Sequence, residues 1–268
     1  MGKFSGYLMV SDLDKTFFAE GTDIPPRNIE AVRYFIENGG RFTLATGRGA
    51  VAAKLIAKDI PKNAPAILFN GAMLYDMGSD EIVETHGVSS PSIVELLRSI
   101  IKDYPSVMLV IFKDDKMYCV TDVCDENVVA ALKNPAIRID VNDLPLPWFK
   151  VLCVERDEVL RELKSYAESF GYPELQFVRS TPILLEIVGK GNDKGFGLTN
   201  LAARLGFDMK KTIAVGDFYN DEPMFRVAGR VFLPENAAED LKHYGTVVCD
   251  HMKGSLGDVV DILDRELN

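Results

Sequence analysis

Two aspartates, Asp12 and Asp14, sit in the run Asp12-Leu13-Asp14-Lys15-Thr16 directly after the apolar segment Tyr7-Leu8-Met9-Val10. An apolar run ahead of paired carboxylates reads as a buried strand opening into a loop. There both side chains can turn toward one crevice, where one carboxylate attacks and the other handles protons. The same five residues also suit a plain Asx turn, so the rest of the chain must decide. Thr46-Gly47-Arg48 offers a hydroxyl, backbone N–H groups at a helix start and a guanidinium, a set suited to an anion. Gly216-Asp217-Phe218-Tyr219-Asn220-Asp221 adds two carboxylates and an amide, and Lys194 opens a helix between these segments. Four aspartates in one crevice repel one another unless a divalent cation sits among them, and all-oxygen ligation without histidine is what Mg²⁺ prefers. Taken singly, Thr46 or Asp221 would serve as a helix cap and Lys194 as a solvated lysine. Their shared place at the carboxyl ends of strands is what points to a ligand crevice.

The elements that must position these residues alternate. Tyr7–Val10 reads as a strand and Pro25–Asn38 as a helix with Ile29, Val32, Phe35 and Ile36 on one face and Gly39-Gly40 as its stop. Arg41–Ala45 reads as a strand, Ala50–Asp59 as a helix and Ala66–Phe69 as a third strand, a βαβαβ pattern of parallel strands. After Asn70-Gly71 the rhythm changes. Met73–Tyr75 and Glu81–Thr85 form a hairpin, Ser92–Tyr104 a helix, and Val107–Phe112 and Met117–Thr121 a strand pair. Phe149–Glu155, Gln176–Arg179 and Leu184–Val188 are further strands, with a helix over Asp157–Phe170. Asn134–Trp148, with three prolines, reads as surface loop or short helix. From Asp193 alternation resumes: helix to Leu205, strand Thr212–Val215, helix Glu222–Ala228, strand Arg230–Phe232, helix Ala237–Tyr244, strand Thr246–Cys249 and a final helix to the C-terminus. The expected fold is α/β: a doubly wound, Rossmann-like parallel-sheet core, residues 1–83 and 189–268, interrupted by an α+β cap over residues 84–188.

Composition narrows the partners. A chain of 268 residues has room for one full core or two smaller ones. A net charge of −10 without a block of Lys and Arg argues against nucleic acid and anionic lipid. The opening residues are too short an apolar run for a signal-peptide core, and no run approaches the ~18 residues a membrane span needs, so a cytoplasmic address is the expectation. Cys119, Cys124, Cys153 and Cys249 form no CxxC pair and read as reduced thiols. His86, His243 and His251 have no Ser or Cys nucleophile pattern nearby, which argues against a triad, and no phosphate-binding glycine loop of known spacing is present.

With these motifs the chain resembles the haloacid dehalogenase-like hydrolases, and within them the Cof-type phosphatases with a cap inserted between the second and third motifs. Asp12-Leu13-Asp14-Lys15-Thr16 is similar to motif one, Ala45-Thr46-Gly47-Arg48 to motif two, Lys194-Gly195 to motif three and Gly216-Asp217 through Asn220-Asp221 to motif four. Phe69-Asn70-Gly71-Ala72 also fits. The resemblance implies Asp12 as nucleophile and Asp14 as general acid and base. It implies Mg²⁺ held by the Asp12 carboxylate, the Asp14 carbonyl and Asp217, with Asp221 acting through water or from behind. Phosphate oxygens would be held by the Leu13 backbone, Thr46, Gly47, Lys194 and Asn220, and Arg48 and Asn70 are further candidates for substrate contact. Two residues depart from the pattern: Lys15 stands where the family has Gly, and Glu235-Asn236-Ala237 where it has Gly-Asn-Ala. Lys15 is expected to carry its charge to solvent.

The expected activity is Mg²⁺-dependent hydrolysis of a small phosphorylated metabolite, with the cap closing over the crevice to exclude water and select the substrate. A phosphomutase shares the four motifs and differs in product. A catalytically silent phosphosugar-binding protein would gain nothing from two repelling acids, and dehalogenase or phosphonatase chemistry does not need the acid that Asp14 supplies. Neither the substrate nor the oligomeric state follows from the residues.

Overall fold

The computed structural model describes residues 2–19, 21, 23–132 and 134–267, apart from the side chain of Ser180. Residue 268, the last of the helix expected to reach the C-terminus, lies outside them. The chain divides into two compact units, one of Met1–Arg48, Ala53–Glu84 and Asp193–Asn268 and one of Gly49–Ala52 and Thr85–Asn192.

The first unit opens with β1 (Leu8–Ser11), α1 (Pro26–Glu37), β2 (Arg41–Leu44) and α2 (Ala50–Ile56), the first three residues of which fall in the second unit. β3 (Ala66–Leu68), β4 (Met73–Asp76) and β5 (Glu81–Thr85) follow as a separate three-stranded sheet. This corrects the expectation of a third parallel strand. β3 pairs antiparallel with β4, and its only parallel link among the described residues is the single bridge Ala45↔Ile67.

The second unit contains α3 (Ser92–Asp103), β6 (Met108–Lys113), β7 (Lys116–Cys119), α4 (Glu126–Leu132), β8 (Ala136–Arg138), β9 (Lys150–Val154), α5 (Asp157–Ser169), β10 (Leu175–Thr181) and β11 (Leu184–Gly189). Its six-stranded sheet runs β10-β11-β9-β6-β7-β8 and is antiparallel except for β7–β8. Leu96, Leu97 and Ile100 of α3 and Leu160 and Leu163 of α5 cluster with Leu109, Ile111, Val151, Cys153, Leu185 and Ile187, alternate residues of the strands, so the helices cover one sheet face. Residues 134–148 are neither the surface loop nor the short helix expected. They hold β8, and Val141, Leu144 and Trp148 are buried, with the Trp148 indole N–H donating to the Pro145 carbonyl at 3.1 Å. α4 was not expected either; it is only seven residues long and none of them is fully buried.

The chain returns through α6 (Lys194–Leu205), β12 (Thr212–Val215), α7 (Glu222–Val227), β13 (Arg230–Pro234), β14 (Thr246–Val248) and α8 (Ser255–Glu266). The segment expected as a helix over 237–244 is a 3₁₀ turn, Glu239–Tyr244. The main sheet runs β14-β13-β12-β1-β2, parallel throughout. All four residues of β1 are buried, which is why this strand reads as an unbroken apolar run. Met9 packs with Val32 and Phe35 of α1 and Val259 and Leu263 of α8. Leu8 and Val10 pack with Leu198 and Leu201 of α6 and Met224 of α7. Alternate residues of one strand thus meet helices on opposite faces, the doubly wound arrangement. No described helix is long and apolar enough to cross a membrane.

Candidate active site

Strand register sets the site. Ser11 is level with Leu44 of β2 and Val215 of β12. One residue further, the Asp12 N–H donates to the Val215 carbonyl and the Ala45 N–H to the Ser11 carbonyl, both at 2.8 Å. Asp12, Thr46 and Asp217 therefore leave three adjacent parallel strands at the same edge, where open sheets place ligands.

Lys194 reaches this edge from the first turn of α6, whose N-cap Asp193 accepts from the Phe196 N–H at 2.8 Å. A Cβ on Gly195 would lie 2.3 Å from the Pro223 carbonyl oxygen, so only glycine lets the start of α6 approach α7 this closely. The Lys194 side chain is fully buried, and its Nζ donates to Asp12 Oδ1 and Asp221 Oδ1, each at 2.5 Å. This is not a solvated surface lysine. Burial alone would lower its pKa, but Asp12 and Asp221 outweigh that and raise it, so the ammonium stays charged. Burial pushes Asp12 well up; Lys194 opposes, and repulsion from Asp221 and Asp217 adds to the rise. Asp217 is pushed up to about 6 by burial and then by Asp221, against the Thr16 hydroxyl, which donates to its Oδ1 at 2.7 Å.

Oxygens of Asp12, Asp217 and Asp221 lie within 4.8 Å of one another, and all three residues are buried. Crowded, buried carboxylates form a hard, all-oxygen donor set that suits a divalent cation. The three do not contribute alike. Asp221 engages Lys194 through Oδ1, and its Oδ2 accepts from the Asp217 and Phe218 N–H groups at 3.0 and 3.1 Å. It stands at the N-cap of α7, but its side chain makes no capping bond there, and its lone pairs are largely occupied. A Cβ on Gly216 would come within 2.5 Å of the Asp221 side chain, so that close fold-back requires glycine. Asp12 and Asp217 each use one oxygen in hydrogen bonds, leaving the second for a cation.

Asp14 is outside this group. Its two carboxylate oxygens accept from Arg48 Nε at 3.0 Å and Nη2 at 2.8 Å, a bidentate pair, so the guanidinium expected at the substrate is bound to the expected acid. Leu13 is buried in the core, which leaves its backbone as the part able to meet a phosphate. Thr46 Oγ1 accepts from the Arg48 N–H at 3.2 Å. Asn70 (φ +53°) follows Phe69 (φ +50°), two consecutive non-glycine residues in the left-handed region. They brace the Thr46–Arg48 turn: the Phe69 N–H donates to the Arg48 carbonyl and the Asn70 N–H to the Thr46 carbonyl. Asn70 Oδ1 is buried without a hydrogen-bond partner, and the Asn70 carboxamide would lie 3.2 Å from a Cβ on Gly47. Asn220 is exposed and outside the hydrogen-bonded cluster.

Sequence reasoning gave no role to the residues that hold the loop after Asp12. Besides Thr16, Asn236 Nδ2 donates to the Lys15 carbonyl at 2.9 Å, Ser255 Oγ to the Thr16 carbonyl at 3.0 Å, and Asn28 Nδ2 to the Phe17 carbonyl at 2.9 Å. Asn28 and Ser255 are polar residues on the buried faces of helices, a signal that was legible. Asn236 stands where the family motif has its own Asn.

A family model described as haloacid dehalogenase-like hydrolase matches residues 9–255. Among curated proteins, the HMP-PP phosphatase of Yersinia enterocolitica is 27% identical over 241 residues, covering 88% of this chain and 86% of that one. The 5-amino-6-(5-phospho-D-ribitylamino)uracil phosphatase of Bacillus subtilis is 27% identical over 269 residues, covering 88% and 90%. Among solved structures, a haloacid dehalogenase-like hydrolase from Bacteroides thetaiotaomicron superposes with a TM-score of 0.85 at 23% identity, over 96% of this chain and 99% of that one.

Proposed function

The chain belongs to the haloacid dehalogenase-like hydrolase family, and from that premise we propose that it is a Mg²⁺-dependent phosphatase of small phosphorylated metabolites, sugar phosphates foremost, acting through an aspartyl-phosphate on Asp12. The observation that carries this reading is the buried Lys194 shared by Asp12 and Asp221, beside Asp217, at the carboxyl edge of three parallel strands.

In this reading Asp12 attacks phosphorus in line, and Lys194 both orients its carboxylate and offsets charge on the phosphoryl oxygens. Asp12, Asp217 and the Asp14 carbonyl hold the metal, with Asp221 steadying Lys194 and the backbone from behind. Bound Mg²⁺ supplies charge neutralisation and alignment of the phosphoryl group. The Leu13 backbone, Thr46, Gly47 and Asn220 receive the remaining phosphate oxygens, and Asn70 meets the leaving group. Asp14 protonates the departing alkoxide and later takes a proton from the hydrolytic water. It must release one Arg48 bond to do so, because both of its oxygens are engaged. The inserted segment, roughly 84–188, sets the substrate preference, and a cytoplasmic location is part of the same reading.

The test is a screen of phosphorylated metabolites with Mg²⁺, including sugar phosphates and the compounds named for the two relatives, HMP-PP and 5-amino-6-(5-phospho-D-ribitylamino)uracil. Free phosphate should appear, stop on adding EDTA and return with Mg²⁺. Asp12→Asn should be folded and inactive. Activity in that variant, or an isomerised phosphate ester in place of free phosphate, would reject the reading, the second in favour of a phosphomutase.

A further inference from the structure

Lys15 adopts φ +61° in the loop between Asp14 and Thr16, a left-handed conformation in which a Cβ crowds the backbone and glycine does not. Strained residues persist where their surroundings over-determine them, and they gather at functional sites. Here the bracing is visible: Asn236 holds the Lys15 carbonyl, Ser255 holds that of Thr16, and the Thr16 hydroxyl is fastened to Asp217. The Lys15 side chain itself is exposed, and among the described residues it makes no hydrogen bond or ion pair. Its neighbour Thr16 donates to Asp217 at 2.7 Å, so Lys15 stands beside the acidic cluster.

The other nearby cations are engaged. Lys194 is buried between Asp12 and Asp221, and Arg48 is bound by both oxygens of Asp14. A chain of net charge −10 repels a phosphate dianion at a distance; Lys194 is shut away from solvent, and Arg48, though partly exposed, has its charge already met by Asp14. We infer that Lys15 is the substrate-capturing cation of this site, meeting the phosphoryl dianion of a small phosphate ester as it arrives and strengthening its binding without taking part in the chemical step. The inference rests on the phosphatase reading.

An exposed charge is screened by salt, so its contribution should appear in KM at low ionic strength and fade as salt is added. Three full-length variants separate charge from strain: Lys15→Gln removes the charge and keeps the Cβ, Lys15→Gly removes both, and Lys15→Arg keeps both. Each is compared with wild type by hydrolysis of p-nitrophenyl phosphate with Mg²⁺, by calorimetric binding of inorganic phosphate, and by thermal unfolding. At about 20 mM ionic strength, Gln and Gly should each raise KM and weaken phosphate binding by about three- to tenfold while kcat stays within about twofold. The difference should close near about 500 mM, and Arg should match wild type. The unfolding midpoint should rise in Lys15→Gly but not in Lys15→Gln. Unchanged phosphate binding in Lys15→Gln at low salt would overturn the inference, as would a loss confined to kcat, which would mark a loop-geometry effect. Failure of wild type to hydrolyse the ester would instead strike the phosphatase reading; calorimetry reads the Lys15 contribution in either case.

Discussion

Burial, and then Asp221, raise the Asp217 carboxyl from its ordinary 3.8 to about 6, with the Thr16 hydroxyl opposing. A carboxyl whose folded pKa exceeds its unfolded one binds protons more tightly when folded. Its favourable contribution is therefore complete below about pH 4 and lost as pH rises through about 6. In EDTA, the unfolding midpoint of wild type relative to Asp217→Asn should fall between pH 4 and pH 6, because the amide does not titrate. With Mg²⁺ the trend should reverse above pH 6, since the cation takes the proton's place; a flat difference from pH 4 to 7 would show that Asp217 is not perturbed. The meeting of Asp12, Lys194, Asp217 and Asp221 was legible beforehand because each lies at a strand end or helix start that the apolar pattern already marks. The Arg48–Asp14 pair was not legible, because two residues 34 positions apart carry no local sign of whether they meet each other or a ligand. The left-handed turn at Lys15 was hidden in the residues themselves, since no local pattern announces positive φ at a lysine; its one sign was the glycine that the family has at that position.

Helix α6 delivers Lys194 only because Gly195 lies against Pro223. Gly195→Ala would put a methyl group 2.3 Å from that carbonyl oxygen and push the first turn of α6 away from α7. Alanine favours a helix more than glycine does, so the propensity change alone is stabilising by about 1 kcal/mol, and any loss reports the displacement. Phosphatase activity should fall at least about tenfold. The unfolding midpoint should move far less than for a buried ion pair broken outright. Activity equal to wild type would mean that the Lys194 ammonium tolerates a shifted helix. The longer elements were legible by periodicity: α1 buries Val32 and Phe35 and packs Ile29 and Ile36, the face read from its spacing. Short strands with buried apolar runs, such as β1 and β12, were legible too, but two short elements were not. β8 has three residues, and α4 presents no buried face; tertiary pairing with β7, not local pattern, makes β8 a strand.

The second unit has a core of its own, built on Leu96, Leu109, Trp148, Val151, Leu160 and Ile187, and apart from Gly49–Ala52 it is one uninterrupted stretch of chain. A fragment of residues 85–192 should therefore fold alone, with cooperative denaturation and native-like strand and helix signals by circular dichroism. A gradual, featureless melt would show that it depends on the rest of the chain. The first unit has no such independence. β1 is flanked by β2, which follows it closely, and by β12, whose first residue is Thr212, and the Thr16–Asp217 hydrogen bond spans 201 positions. On a ribosome adding about 5–20 residues per second, the nascent β1 would wait roughly 10–40 s for its second partner. Its apolar edge stays open during that interval while the inserted stretch emerges complete. Asp12 thus acquires Lys194, Asp217 and Asp221 only long after its own synthesis, and a chain stalled before β12 would be a client for chaperones and proteases with no catalytic centre to protect.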